Sequence, residues 1–267
     1  MSQPLIQDLP NVGFAISLDR RARLQRSQAI AADTLKAGGI LQGFHAFLWV
    51  LIIVEQSGDG TLEIASEITS QQAHFQVIDN RVQRGKGYAV RSGMNRARGN
   101  FVFYMDADLS VPLAEVAAFL RYWEENPQVD VLIGNRRHAL SRITRRQAWL
   151  RRTMGQAFNR ILQGSGLASL HDTQCGFKAF RQAACREIFS RQKLDGFAFD
   201  VEVLLLAERL GFRIADLPVE WINSTESKVR IVRDSLRMLG DTLTIRRSVE
   251  ARLNAERRSA RAEAPTE

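Results

Sequence analysis

Asp106 and Asp108 stand one residue apart in FVFYMDADLS (101–110), directly after five mostly apolar residues that read as a buried strand. A carboxylate at the mouth of an apolar core is costly unless something neutralises it. Two at one strand end offer hard oxygen ligands suited to Mg2+ or Mn2+, with phosphate oxygens and water filling the other positions. A plainer reading is open: Asp108 caps a helix starting at Pro112, or both carboxylates face water in a turn. RGKGYAVRSG (84–93) sets Gly85 and Gly87 around Lys86 just before a helical pattern. Glycines there let the backbone approach an anion at a helix N-terminus, or they mark only a basic turn. The spacing G-x-x-x-x-G-K-[ST] is absent, which excludes an ordinary P-loop nucleotidase. In HDTQCGFKAF (171–180), Asp172 and Gln174 form a polar pair before a Gly-Phe turn. Cys175 and His171 are four apart with no third orienting group, so a buried structural cysteine is favoured over a thiol nucleophile. Asp200 and Glu202 open an apolar helical run and read as helix-start acids.

The elements that must hold these residues alternate along the chain. VGFAIS (12–17), FLWVLIIV (47–54), HFQVID (74–79), FVFYMD (101–106) and VDVLIG (129–134) read as strands. Helical patterns lie between them at 19–37, from Thr61 (with Ser57 and Asp59 as caps), at 87–97 and from Pro112. This alternation predicts an α/β fold with a mostly parallel central sheet flanked by helices. Ligands of such sheets collect beyond the carboxyl ends of the strands, where Asp106 and Asp108 fall.

The 267 residues are 45% hydrophobic, enough for one full core, and carry 37 Lys and Arg against 29 Asp and Glu, a net charge of +8. Nucleic acid, an anionic membrane or a phosphorylated ligand each answers such a charge. Residues 131–171 hold no acid but eight arginines, among them Arg136, Arg151 and Arg152. That run is either a solvated face or one facing an anion. Two cysteines are too few for a disulfide framework or zinc cluster. Residues 1–12 lack the pattern of a signal peptide, and the apolar stretch 44–55 is too short to span a bilayer. Val229, Val232, Leu236, Leu239 and Leu243 recur at helical spacing beside arginines, which suits docking on the domain or lying in a membrane interface. The polar C-terminal residues read as a frayed tail.

In order, VEQSGDGT, RGKGYAVRSG, DADLS, GNRR, DTQCGFK, FAFDVEVL and SKVRIVRDSLRML resemble a family 2 glycosyltransferase with the GT-A fold, in particular the dolichyl- and polyprenyl-phosphate hexosyltransferases and their β-glucosyltransferase branch. The resemblance covers roughly 10–247. It implies a single GT-A domain over 1–247 followed by a charged, disordered tail at 248–267. It also implies an inverting, metal-dependent hexosyltransferase that moves a hexose, with glucose and UDP-glucose favoured, from a nucleotide-sugar donor to a polyprenyl-phosphate acceptor. Asp106 and Asp108 would hold Mg2+ or Mn2+ on the donor diphosphate. Lys86, Glu55 and Asp59 would lie on the donor side, Asp172 and Gln174 would join Asp108 as catalytic groups on the sugar side, and Arg136, Arg151, Arg152 and Lys228 would meet the acceptor phosphate. Such a chain would be cytoplasmic, peripherally associated with an anionic membrane, with no nucleic-acid partner. The chain departs from the family near its start: ISLDR (16–20) replaces a Pro-x-Tyr-Asn-Glu pattern. In VEQS (54–57), Val54 and Glu55 stand where the family carries two aspartates, the acid there contacting the nucleotide base. A binding scaffold that has lost catalysis, suggested by the altered N-terminal motifs, and a basic nucleic-acid-binding protein are the competing readings; the second leaves the D-x-D and Gly-Lys-Gly segments unexplained.

Overall fold

Along FVFYMD, successive side chains enter opposite layers: Val102 and Tyr104 join one apolar cluster, Phe103 and Met105 the other. That period-two burial on both faces is what a central strand covered on each side requires. The computed structural model describes residues 11–18, 47–56, 60–70, 73–144, 172–222 and 231–262. The described elements run β1 (Asn11–Leu18), β2 (Phe47–Val54), α1 (Thr61–Thr69), β3 (Phe75–Asp79), α2 (Lys86–Met94), β4 (Phe101–Asp106), α3 (Glu115–Glu125), β5 (Val131–Asn135), β6 (Arg142–Ile143), β7 (Phe177–Arg181), α4 (Gln182–Arg191), α5 (Phe199–Arg209), β8 (Ile214–Pro218), β9 (Glu220–Trp221) and α6 (Ile231–Ala262).

A seven-stranded sheet has the order β3-β2-β1-β4-β7-β5-β8, and β6 pairs with β9 in a separate ribbon. One face is covered by α2, α4, α5 and α6, the other by α1 and α3. The expected strands at 12–17, 47–54, 74–79, 101–106 and 129–134 are present within two residues at each end. The helix expected at 19–37 lies outside the described residues. The helix expected near Thr61 begins there on Gly60 at φ 77°, with no side-chain cap.

β7 begins at the phenylalanine of the expected Gly-Phe turn, and it lies between β4 and β5, antiparallel to both. Lys178 conceals it, because a lysine inside FKAFR breaks the apolar run, and its burial is made possible only by a carboxylate from another element. The direction of β7 matters. Parallel strands deliver the residues that follow them to the carboxyl edge, whereas β7 delivers the residues that precede it. Asp172–Gly176 therefore reach the same edge as the residues that follow β4 and β5, and the Asp106 amide donates to the Gly176 carbonyl at 3.1 Å.

The boundary expected at 247 is corrected by α6, which runs through it to Ala262. Ile245, Val249 and Leu253 are buried in the core cluster that holds α5. Arg209–Glu250 and Arg191–Glu256 pairs pin the same stretch. Its composition looked like a tail because it is polar, but Ala, Arg and Glu are strong helix formers. The side chains of Val229, Val232, Leu236, Leu239 and Leu243 lie outside the described residues. Among the described residues no helix is long and apolar enough to cross a membrane.

Candidate active site

β4 ends by carrying Asp106 out of the core and against α2. Its Oδ1 lies 2.7 Å from the Lys86 ammonium, which also sits 5.8 Å from the centre of the Phe199 ring. Burial alone would push this ammonium towards neutrality, but Asp106, Asp200 and Asp108 more than offset that and hold its pKa above the ordinary lysine value. Lys86 is therefore a fixed positive charge. On the other side of Asp106, a β-carbon on Gly176 would collide with Oδ2, so the carboxylate occupies the space that glycine leaves. Asp108 lies in the turn that follows. Its Oδ1 accepts from the Ser110 amide at 3.0 Å, and Leu109 takes a left-handed φ of 49°. Helix α3 starts later, at Glu115, without a side-chain cap, so Asp108 does not serve it.

Two further ion pairs flank this one. Arg136, just beyond β5, clasps Asp172 through Nε at 2.7 Å, Nη2 at 2.8 Å and its own amide at 3.0 Å. Lys178 is wholly buried and donates to Asp200 Oδ1 at 2.5 Å and to the Cys175 carbonyl at 2.6 Å. The Tyr104 hydroxyl donates to the same Asp200 oxygen. The field of Asp200 reaches Lys86, and that of Asp106 reaches Arg136. Lys178, Asp200, Lys86, Asp106, Arg136 and Asp172 thus alternate in sign along the carboxyl edge, and their charges cancel. Asp108 is a further carboxylate with no ion-pair partner among the described residues. This donor set suits a divalent cation: two aspartates one residue apart, one of them uncompensated, with exposure left for ligand and water. Among the described residues no three acidic, histidine or cysteine groups converge on a point, so further coordination would come from ligand and water.

Burial would push the Asp172 carboxyl up, yet Arg136 dominates and holds it below the ordinary 3.8. A depressed folded-state value gives stability that is complete above the unfolded value and is lost as pH falls through the folded one. Urea unfolding at a series of pH values is expected to show this: Asp172→Asn is less stable than the parent at pH 6, and the gap narrows below pH 3.8.

The glycines of the Gly-Lys-Gly turn have a different role from the expected anion cradle. A β-carbon on Gly85 would lie 2.7 Å from the Asp195 carbonyl oxygen, and one on Gly87 would collide with the Leu194 oxygen and lie 2.7 Å from Phe199 Cβ. The neighbouring amides are also engaged by protein. Glu55 Oε1 accepts from the Arg84 and Gly85 amides at 3.2 and 2.9 Å, and the Asp195 carbonyl accepts from Gly87 and Tyr88 at 2.8 and 3.3 Å. The glycines admit residues 194–196 rather than a phosphate. Gly87→Ala is expected to lower stability by about 1–3 kcal/mol through overpacking, measured by chemical denaturation.

Of the residues singled out from sequence, Asp106, Asp108 and Lys86 are brought together, and Arg136 and Asp172, expected on different ligands, bind each other. Gln174, two residues after Asp172 in the chain, is half-buried, and Glu55 is buried with one oxygen on the Lys86 turn. Asp59, Arg151, Arg152, Lys228 and His171 lie outside the described residues. Cys175 is fully buried, and burial pushes its thiol up to about 11, which suits a structural cysteine. Sequence reasoning missed Lys178, Gly176 and Asp195. Asp200 and Glu202 stand in the first turn of α5, as expected of helix-start acids, and both are also buried.

Comparison with known proteins decides the family. The sequence profile described as glycosyl transferase family 2 matches residues 40–189. A dolichyl-phosphate beta-glucosyltransferase of Saccharomyces cerevisiae is 31% identical over 214 residues, covering 74% of this chain and 64% of that protein. The chain belongs to glycosyl transferase family 2. A second family relative, the dolichyl-phosphate beta-glucosyltransferase of Dictyostelium discoideum, is 30% identical over 74% of this chain and 62% of its own length. The chain thus spans somewhat under two thirds of the length of these curated relatives. Glucosyl-3-phosphoglycerate synthase from Mycobacterium tuberculosis, solved with Mn2+, UDP-glucose and glycerol 3-phosphate, superposes with a TM-score of 0.65 at 14% identity, covering 92% of this chain and 85% of that one. The family 2 chain therefore has the mixed α/β GT-A fold of glycosyltransferases, as its motifs implied.

Proposed function

We propose that this family 2 chain transfers a hexose, glucose in the favoured case, from UDP-glucose or a related nucleotide diphosphate sugar to a polyprenyl or dolichyl phosphate, with inversion at the anomeric carbon. The observation that carries the proposal is the neutral Lys86–Asp106 pair beside Asp108, which has no ion-pair partner among the described residues, at the carboxyl edge of a GT-A sheet. The names of the relatives supply the acceptor and the sugar. The bound UDP-glucose and Mn2+ of the structural neighbour support the donor and the cation.

Asp106 and Asp108 would hold Mg2+ or Mn2+, which supplies charge neutralisation of the donor diphosphate when bound. The acceptor phosphate is already anionic, so no strong base is required. One of its oxygens attacks the anomeric carbon, the bond from that carbon to the diphosphate breaks, and the nucleoside diphosphate departs with the bonding electrons. The chain's part is to position the two ligands and stabilise the leaving charge. Lys86, kept protonated by the acids around it, adds fixed positive charge on the donor side. Arg136, oriented by Asp172, presents to the acceptor the guanidinium edge that Asp172 leaves, and Arg151, Arg152 and Lys228 complete the basic set by sequence. Asp172 and Gln174 bound the sugar side. A cytoplasmic protein visiting an anionic membrane through its basic surface accords with a lipid-linked acceptor.

Isothermal titration with UDP and GDP, each with and without Mn2+, tests the reading. UDP binding that requires Mn2+, followed by transfer to polyprenyl phosphate, is the expected result. Failure of both nucleotides to bind overturns it.

A further inference from the structure

The Lys86 turn is shaped from outside by a strap formed by residues 193–195. Asp195 grips the turn three ways. Its carbonyl accepts from the Gly87 and Tyr88 amides, its Oδ2 pairs with Arg84 Nη2 at 2.7 Å, and its Oδ1 pairs with Arg91 Nη2 at 2.8 Å. The two guanidinium groups also lie against the Tyr88 ring, 4.7 and 5.3 Å from its centre. The strap is held in turn by Glu202 of α5, whose Oε2 accepts from the Lys193 and Leu194 amides at 3.0 and 2.7 Å.

Glu202 is only 1% exposed, and a carboxylate so placed needs a counter-charge. Arg252 of α6 provides it, with Nη2 2.5 Å from Glu202 Oε1, while Nη1 donates to the Arg191 carbonyl at 3.0 Å. The chain of contacts is continuous: Arg252, Glu202, the strap amides, Asp195, the Gly87 and Tyr88 amides, and then Lys86 on Asp106. Arg252 lies five residues beyond the point where the sequence suggested that the domain ended.

We propose that Arg252 and Glu202 are positioning residues for Lys86, so that helix α6 is a working part of the donor side of the site. This inference rests on the proposed donor role of Lys86. Without Arg252 the buried Glu202 carboxylate draws in water, the strap amides lose a fixed acceptor, and Asp195 no longer sets the Gly87 and Tyr88 amides. The Lys86 ammonium then loses its register on Asp106. A role confined to docking α6 would lower global stability and leave the turn as protected as before.

The test uses the full chain with Arg252→Leu, Arg252→Lys and the double variant Glu202→Gln/Arg252→Leu. In the double variant no unpaired charge is buried, and an amide oxygen still meets the Lys193 and Leu194 amides. Amide hydrogen exchange at Gly87 and Tyr88, with no ligand present, is expected to quicken by about tenfold in Arg252→Leu, the scale of coupling through a packed network. UDP with Mn2+ is expected to bind about tenfold more weakly, while the KM for polyprenyl phosphate stays within about twofold. Arg252→Lys and the double variant are expected to restore most of both losses. Unchanged exchange at Gly87 and Tyr88, or a double variant no better than Arg252→Leu, overturns the proposal. If the parent protein binds no nucleotide, the hexosyl-transfer reading fails, and exchange at these two amides alone decides the coupling.

Discussion

Asp108→Asn is expected to lower hexosyl transfer by at least about 100-fold, the loss seen when one electrostatic stabiliser of a developing charge is removed, while leaving the fold unchanged. The side chain keeps its size, and its amide oxygen still accepts from the Ser110 amide that Asp108 Oδ1 now holds at 3.0 Å. The turn with Leu109 at positive φ therefore has no reason to move. What disappears is one negative charge, and it is the charge that has no ion-pair partner among the described residues. Asp106 alone remains, already neutralised by Lys86 at 2.7 Å, so the edge no longer attracts a divalent cation. Titration should show UDP binding that no longer responds to Mn2+, and thermal unfolding should match the parent. Transfer within about threefold of the parent would remove Asp108 from the mechanism.

Lys178→Met is expected to cost about 3–5 kcal/mol of stability, the range found when one partner of a buried ion pair is removed. Lys178 and Asp200 are both buried, and the ammonium also holds the Cys175 carbonyl at 2.6 Å. Methionine fills much of the volume, so the loss reports the stranded Asp200 carboxylate more than a cavity. Adding Asp200→Asn should recover more than half of the loss, because Asn keeps an acceptor for the Tyr104 hydroxyl without the charge. Chemical denaturation of the parent, both single variants and the double variant closes the cycle. A double variant as unstable as the sum of the singles would show that the two residues stabilise the fold independently. The activity of Lys178→Met should fall as well, since β7 places Gly176 beneath Asp106.

The parts of this fold legible in the sequence are those in which local pattern and tertiary environment agree. FLWVLIIV and FVFYMD are apolar throughout or nearly so, because both faces are covered from Val50 to Val54 and from Val102 to Met105, and both were placed correctly. Asp106 and Asp108 were legible for the complementary reason, as charges where the apolar run stops. β7 was not legible because Lys178 makes its pattern look exposed, and the partner that neutralises it is 22 residues away. Gly85 and Gly87 left two readings open, an anion cradle or a turn with helix-start glycines, and the structure has the second. A glycine signals close approach by something, and sequence spacing does not say whether that is a phosphate or the backbone of residues 194–196. Glu202 is the helix-start acid its position suggests, but nothing local reveals that it also pairs with Arg252, 50 residues later.

The Arg136–Asp172 clasp joins two points 36 residues apart in the chain, and its effect is easiest to see as loop closure. With both ends of that span fastened to adjacent strands, the entropy of closing it depends on its length only logarithmically, so doubling the span costs about 0.6 kcal/mol. What the clasp secures is the relative position of the ends of β5 and β7, at an entropic cost nearly indifferent to how many residues lie between them.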